Sequence, residues 1–149
     1  MSPSENPRSY PESPIVGVGA VVLGPNGVLL IKRGKPPRLG SWSLPGGAQE
    51  LGETVFEAGR REIREETGLE AEVLGLVDVV DSIRRDAQAQ VEYHYTLVDV
   101  AARVTGGTLA AGGDAADARW FTRAEIDAME LWSETKRIIA LALERYGGG

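Results

Sequence analysis

The sequence contains no cysteine and a single histidine, His94, which excludes a disulfide framework and a thiolate zinc site. Any bound metal must be held through oxygen, with His94 as the only imidazole. No stretch approaches the roughly 20 apolar residues of a membrane span. The N-terminal MSPSENPRSYPESP lacks both the basic start and the apolar run of a signal peptide. A soluble, cytoplasmic protein with no membrane partner is expected. An excess of positive charge is also missing: 16 Lys and Arg stand against 22 Asp and Glu, a net charge of -6. That balance argues against a nucleic acid polymer as partner, because its footprint is a basic patch. A small anionic ligand would instead need a local positive device, such as a cation, a few arginines or a helix N-terminus.

What is present suits one domain, since 149 residues bury a sizeable core without crosslinks. Residues 1–13, rich in Pro, Ser and charge, read as a disordered or arm-like tail, and residues 14–149 as a single domain. IVGVGAVVLG reads as a buried strand, Pro25-Asn26-Gly27 as a turn and Val28 to Gly34 as the returning strand. SWSLPGG is a short extended piece stopped by Pro45 and two glycines. Thr54 followed by Glu57 is a capping box, and Gly68 a left-handed helix stop, so a helix of about four turns is expected between them. EAEVLGLVDVVDSI and QVEYHYTLVDVAARV read as strands, TGGTLAAGGDAAD as a loop and DARWFT as a last strand. Two closing helices follow, with Thr122 and Ser133 as candidate caps. Strands, helix, strands, helix predict an α/β (α+β) fold, a mixed β-sheet between helices.

The chemistry concentrates in GGAQELGETVFEAGRREIREETGL, residues 46–69. On a helix, Glu62, Glu65 and Glu66 fall within an arc of about 100°, where like charges repel. Phe56, Gly59 and Ile63 lie beside that arc as the core-facing stripe. Glu57, four residues before Arg61, is in the favourable orientation for a helical ion pair. A carboxylate cluster suits a hard divalent cation, since magnesium takes oxygen ligands and is commonly completed by substrate phosphates. Just upstream, Gly46 and Gly47 allow a tight turn and a close backbone approach to a ligand.

Gly47, five residues, Glu53, seven residues, then Arg61-Glu62-Ile63-Arg64-Glu65-Glu66-Thr67-Gly68-Leu69 resembles the signature of the Nudix hydrolases at every defining position. The resemblance implies an αβα sandwich and an enzyme that hydrolyses a nucleoside diphosphate linked to a further group X. It implies Glu62, Glu65 and Glu66 as ligands of Mg2+, with Mn2+ as a substitute, and Gly47 as the backbone nearest the metal and phosphates. Glu53 and Arg61 would hold the loop against the helix, and Gly68 would end that helix. Glu66 is the base candidate within the box, and Asp114, in GGDAADARWF, is a supplementary base or ligand.

Outside the box, Arg33 and Lys35 are candidates for substrate phosphates, and Arg84 and Arg85, expected in a loop, for a terminal ribose or phosphate. Trp42 reads as loop packing, Trp120 as core and His94 as an ordinary strand residue. The stretches SWSLPGG, HYTLVDV and ARWF are similar to bacterial ADP-ribose pyrophosphatase-like members, so ADP-ribose or a similar nucleotide sugar is the expected substrate. That subgroup often carries a proline some fifteen residues past the box, and this chain has none after Pro45. A (deoxy)nucleoside triphosphate pyrophosphohydrolase and a non-catalytic nucleotide-sensing domain are the alternatives. The family also often forms homodimers.

Overall fold

Two buried apolar runs on either side of Pro25-Asn26 make the first hairpin of the computed structural model, which describes residues 8–35 and 38–147. They are β1 (Ile15–Gly24) and β2 (Gly27–Arg33), followed by β3 (Trp42–Ser43), β4 (Gly46–Ala48) and α1 (Val55–Thr67). Then come β5 (Leu69–Arg85), β6 (Val91–Gly107), β7 (Ala115–Phe121), α2 (Arg123–Ala128) and α3 (Ser133–Tyr146). The strands form one mixed sheet in the order β3-β2-β1-β6-β5, with β4 paired to β1 and β7 to β2. β1 runs parallel to β6, with Gly19 opposite Asp99, and antiparallel to β4, with Gly19 opposite Gly46. A single register level thus carries β4, β1 and β6 side by side.

Strand alternation divides the core into two layers. Ala20, Val22, Val100 and Ala102 face α1 with Ile63, whereas Val21, Leu30 and Ala101 face α2 and α3 with Ile126, Ile138 and Ile139. This is the expected sandwich of helices on both faces of a mixed sheet. Burying each such aliphatic side chain contributes about 1.5–3 kcal/mol. Truncation of the fully buried Ile63 to alanine would cost about 2–5 kcal/mol.

α1 begins and ends where its sequence predicts. Thr54 accepts from the Glu57 N–H and Glu57 accepts from the Thr54 N–H, at 3.1 and 2.9 Å, and Gly68 closes the helix at φ 73°. Its buried face is Ala58, Gly59, Ile63, Glu66 and Thr67. Phe56 departs from the expected stripe. It is 41% exposed, because the first turn runs past the close Gly59–Val100 packing and leaves the ring in a surface groove with Arg60, Ala71 and Val73. Glu57, engaged in the cap, is not the ion-pair partner of Arg61, which turns to Glu53 and Glu62 instead.

Other boundaries shift. β5 extends through Arg84 and Arg85, so neither lies in a loop. β6 continues to Gly107 and β7 starts at Ala115, which shortens the glycine-rich connection. Thr122 caps α2 with Glu125 completing a capping box, but α3 is preceded by Trp132 without a side-chain cap, so Ser133 is inside the helix. Trp42 packs edge-on to Phe121 at 5.0 Å. Of the expected tail, residues 1–7 lie outside the described residues. Tyr10 donates from its N–H to the Glu92 carbonyl at 2.7 Å and from its hydroxyl to Asp86 at 2.9 Å, docking on the β5–β6 hairpin.

Candidate active site

The loop before α1 is fastened to the helix by one side chain. Arg61 donates from Nε and Nη2 to Glu53, at 2.7 and 3.0 Å, and from Nη2 to the Ala48 carbonyl at 3.1 Å. Glu53 also accepts from the Glu50 N–H at 3.0 Å. These bonds, that of Arg61 first, hold the Glu53 carboxyl below the usual carboxylate range. The result is a rigid turn that presents Gly46 and Gly47 to the helix face.

The two glycines admit the carboxylates closely. Gly46 donates from its N–H to Glu66 Oε1 at 2.7 Å. The Glu62 carboxyl lies over Gly47 so tightly that a Cβ added there would sit 2.5 Å from Oε1. Glu66 is only 6% exposed. Burial first, then the neighbouring Glu62 carboxyl and the charge of Asp114, push Glu66 up to about 8 against the pull of the Gly46 N–H. This rise follows from the rule that desolvation and like charge disfavour the ionised acid.

Glu65 stands apart, 53% exposed. The Arg61 Nη1 donates to Glu62 at 2.7 Å and to Glu65 at 3.3 Å, which offsets part of the repulsion expected along the helix. Among the described residues no three carboxylates converge on one point. The donor chemistry nevertheless fits a hard divalent cation. Two nearly buried carboxyls adjoin on a glycine pair, every available ligand atom is oxygen, and no cysteine or histidine competes.

The C-terminal end of α1 is held by the shortened glycine-rich connection. Ala110 donates to the Thr67 carbonyl at 2.9 Å and Gly112 to that of Glu66 at 3.1 Å. This brings Asp114 near Glu66, where the Asp114 side chain pairs with Lys35 Nζ at 2.9 Å. Arg33 ends β2, its main chain bonded to Ser41 and Gly40. Arg84 is brought elsewhere: it lies toward the tip of the β5–β6 hairpin, where it pairs with Glu92 at 3.7 Å.

One buried acid escaped the sequence reading. Asp99 in β6 is 7% exposed, and burial pushes it up to about 6, with Asp78 and Glu134 adding to the rise and Arg137 opposing it. Its signal in the sequence was a lone carboxylate inside the apolar strand TLVDVAA.

An acidic helix fastened beneath a double-glycine turn, in an αβα sandwich, defines a domain of a recognisable class. Residues 13–142 match the NUDIX domain, and the chain belongs to the Nudix family. It is similar to an ADP-ribose pyrophosphatase of Methanocaldococcus jannaschii, 44% identical over 108 residues that cover 72% of this chain and 62% of that protein. It also resembles the human 8-oxo-dGDP phosphatase NUDT18, 36% identical over 66% of this chain and 29% of the human protein. The match therefore spans less than two thirds of these relatives. Among solved structures, a MutT NUDIX hydrolase from Burkholderia pseudomallei superposes with a TM-score of 0.75 at 31% identity, covering 87% of this chain and 98% of that one. No helix among the described residues is long and apolar enough to cross a membrane.

Proposed function

We propose that the protein hydrolyses the pyrophosphate bond of a nucleoside diphosphate linked to a group X, with ADP-ribose or a similar nucleotide sugar as substrate. The observation that carries this reading is Glu66: a buried carboxyl bonded to the Gly46 N–H, adjoining Glu62 where that carboxyl rests on Gly47. Glu62 and Glu66 would hold the cation, with Glu65 joining them by turning from Arg61. Bound there, Mg2+ or Mn2+ would neutralise phosphate charge and lower the pKa of an attacking water. The main chain at Gly46 and Gly47 would lie against the phosphates, and Arg61 with Glu53 would keep it there. Glu66 is the candidate to take the proton of the attacking water, and Asp114, released from Lys35, a supplementary base. Lys35 and Arg33 would then meet the phosphate oxygens.

The name of the archaeal relative supports ADP-ribose. That of the human relative, an 8-oxo-dGDP phosphatase, supports a second reading, a nucleoside diphosphate as substrate, beside the nucleoside triphosphate expected as an alternative from the sequence. The test is turnover of a nucleotide panel with Mg2+ or Mn2+, with and without chelator. ADP-ribose plus water should give AMP and ribose 5-phosphate, and chelator should abolish it. Preferential release of pyrophosphate or phosphate from nucleoside triphosphates or diphosphates would favour the second reading. No turnover with either metal would reject both and leave a sensing domain. A homodimer belongs to the same reading, and a monomeric mass by light scattering would remove it.

A further inference from the structure

Asp99 sits on the sheet face opposite α1. Val100 packs against Gly59 of α1, so alternation turns Asp99 toward the α3 side. There its Oδ1 lies over Gly19, 2.5 Å from where a Cβ would be, with Leu44 also against that glycine. Two positions along, Leu97 and Tyr95 lean in the same way over Gly17. The surroundings are apolar on one side, where Trp42, Leu44 and Leu97 pack on this face, and charged on the other, where Asp78 stands opposite Asp99 on β5.

Within them the carboxyl lacks a partner. No donor among the described residues hydrogen-bonds to Asp99; Arg137, whose charge acts on it, is bonded to Asp78 at 2.9 Å and Glu134 at 2.7 Å. A buried carboxyl without a donor is costly, and an apolar residue would pack the same space without that cost. Its oxygens are not sealed in, because among the described residues no fully buried side-chain oxygen lacks a partner. An acceptor that is buried, unpaired and still reachable is a group aimed at a ligand.

Its position says which part of a ligand. Asp99 is level with Gly19, and Gly19 with Gly46, whose N–H points to Glu66 at 2.7 Å. Two strand spacings, on the order of 10 Å, separate Asp99 from the edge where the phosphates would lie. That is the reach of a ribose and a base passing over the outer edge of β4. Apolar side chains beside an unpaired acceptor also have the character of a site for a flat ring.

We propose that Asp99 is a specificity-determining residue that accepts a hydrogen bond from the exocyclic amino group of the substrate's nucleobase. The inference rests on the reading that the ligand is a nucleotide. Its test is equilibrium binding of AMP and of purine riboside 5′-monophosphate, which lacks the amino group, to the full chain with Mg2+ present. Wild type should bind AMP tighter by on the order of tenfold to a hundredfold, and Asp99→Leu, checked by thermal melting, should bind the two alike. Equal binding by wild type, no binding of AMP, or undiminished discrimination in Asp99→Leu would overturn it. The wild-type comparison needs no variant to fold. Discrimination without turnover of any nucleotide would reject the hydrolase reading alone, and turnover without discrimination would reject this one alone.

Discussion

Arg61 holds both carboxylate oxygens of Glu53, from Nε at 2.7 Å and Nη2 at 3.0 Å, while its Nη1 reaches Glu62 at 2.7 Å. One planar guanidinium therefore joins the glycine loop to the carboxylate face of α1. A point-charge ammonium cannot reproduce that fork.

Arg61→Lys should consequently lower stability by about 1.5–3 kcal/mol in urea unfolding. Turnover should fall further than stability predicts, because the loop loses its fixed position above the helix. Stability and activity equal to wild type would mean that the fork does not organise the loop.

The two glycines should respond differently to alanine. At Gly46 the added methyl strikes the Val18 carbonyl and the Gly19 Cα, which are backbone, whereas at Gly47 it meets only the flexible end of Glu62. Gly46→Ala should therefore lower the melting temperature strongly. Gly47→Ala should fold nearly as wild type while losing turnover and metal response, since Glu62 must swing away. Thermal melts paired with metal titrations compare the two.

Glu66→Gln removes a carboxyl that burial and Glu62 hold at about 8. Turnover should fall by about a hundredfold or more, with the fold intact. Added Mg2+ or Mn2+ should raise the melting temperature of wild type, since a ligand of the native state stabilises it, and raise that of the variant much less. Equal metal-induced shifts in the two proteins would separate Glu66 from the cation.

Asp99 makes a pH prediction. Its folded value of about 6 lies above the ordinary aspartate value near 3.9, so the native state holds the proton more tightly than the unfolded chain. The neutral acid is fully compatible with the fold below pH about 4. Stability is lost as pH rises from there through about 6, by about 3 kcal/mol. Asp99→Asn should flatten that part of the profile and stabilise the protein at pH 7 in denaturant titrations. An unchanged profile would mean that Asp99 stays ionised in a better-solvated setting.

The capping pair Thr54–Glu57, the cap at Thr122, the stop at Gly68 and the box spacing were legible in the sequence. Each depends on contacts within a turn or two of one helix, so residue order alone specifies them. The apolar runs on either side of Pro25-Asn26-Gly27 likewise marked β1 and β2 as a hairpin. Three features were decided only by the tertiary structure. Between the two partners the sequence offered Arg61, Glu57 by helical spacing and Glu53 by resemblance, the structure chose Glu53, because the loop folds back and offers a bidentate partner while the cap occupies Glu57. The pairing of Lys35 with Asp114, beside Glu66, depends on β7 returning to β2 across the sheet. Asp99 came to lie over Gly19 through the parallel register of β1 and β6, a contact between residues 80 positions apart in the chain. Such contacts are set by how whole strands align and by the cost of burying what they carry, and no local pattern encodes them.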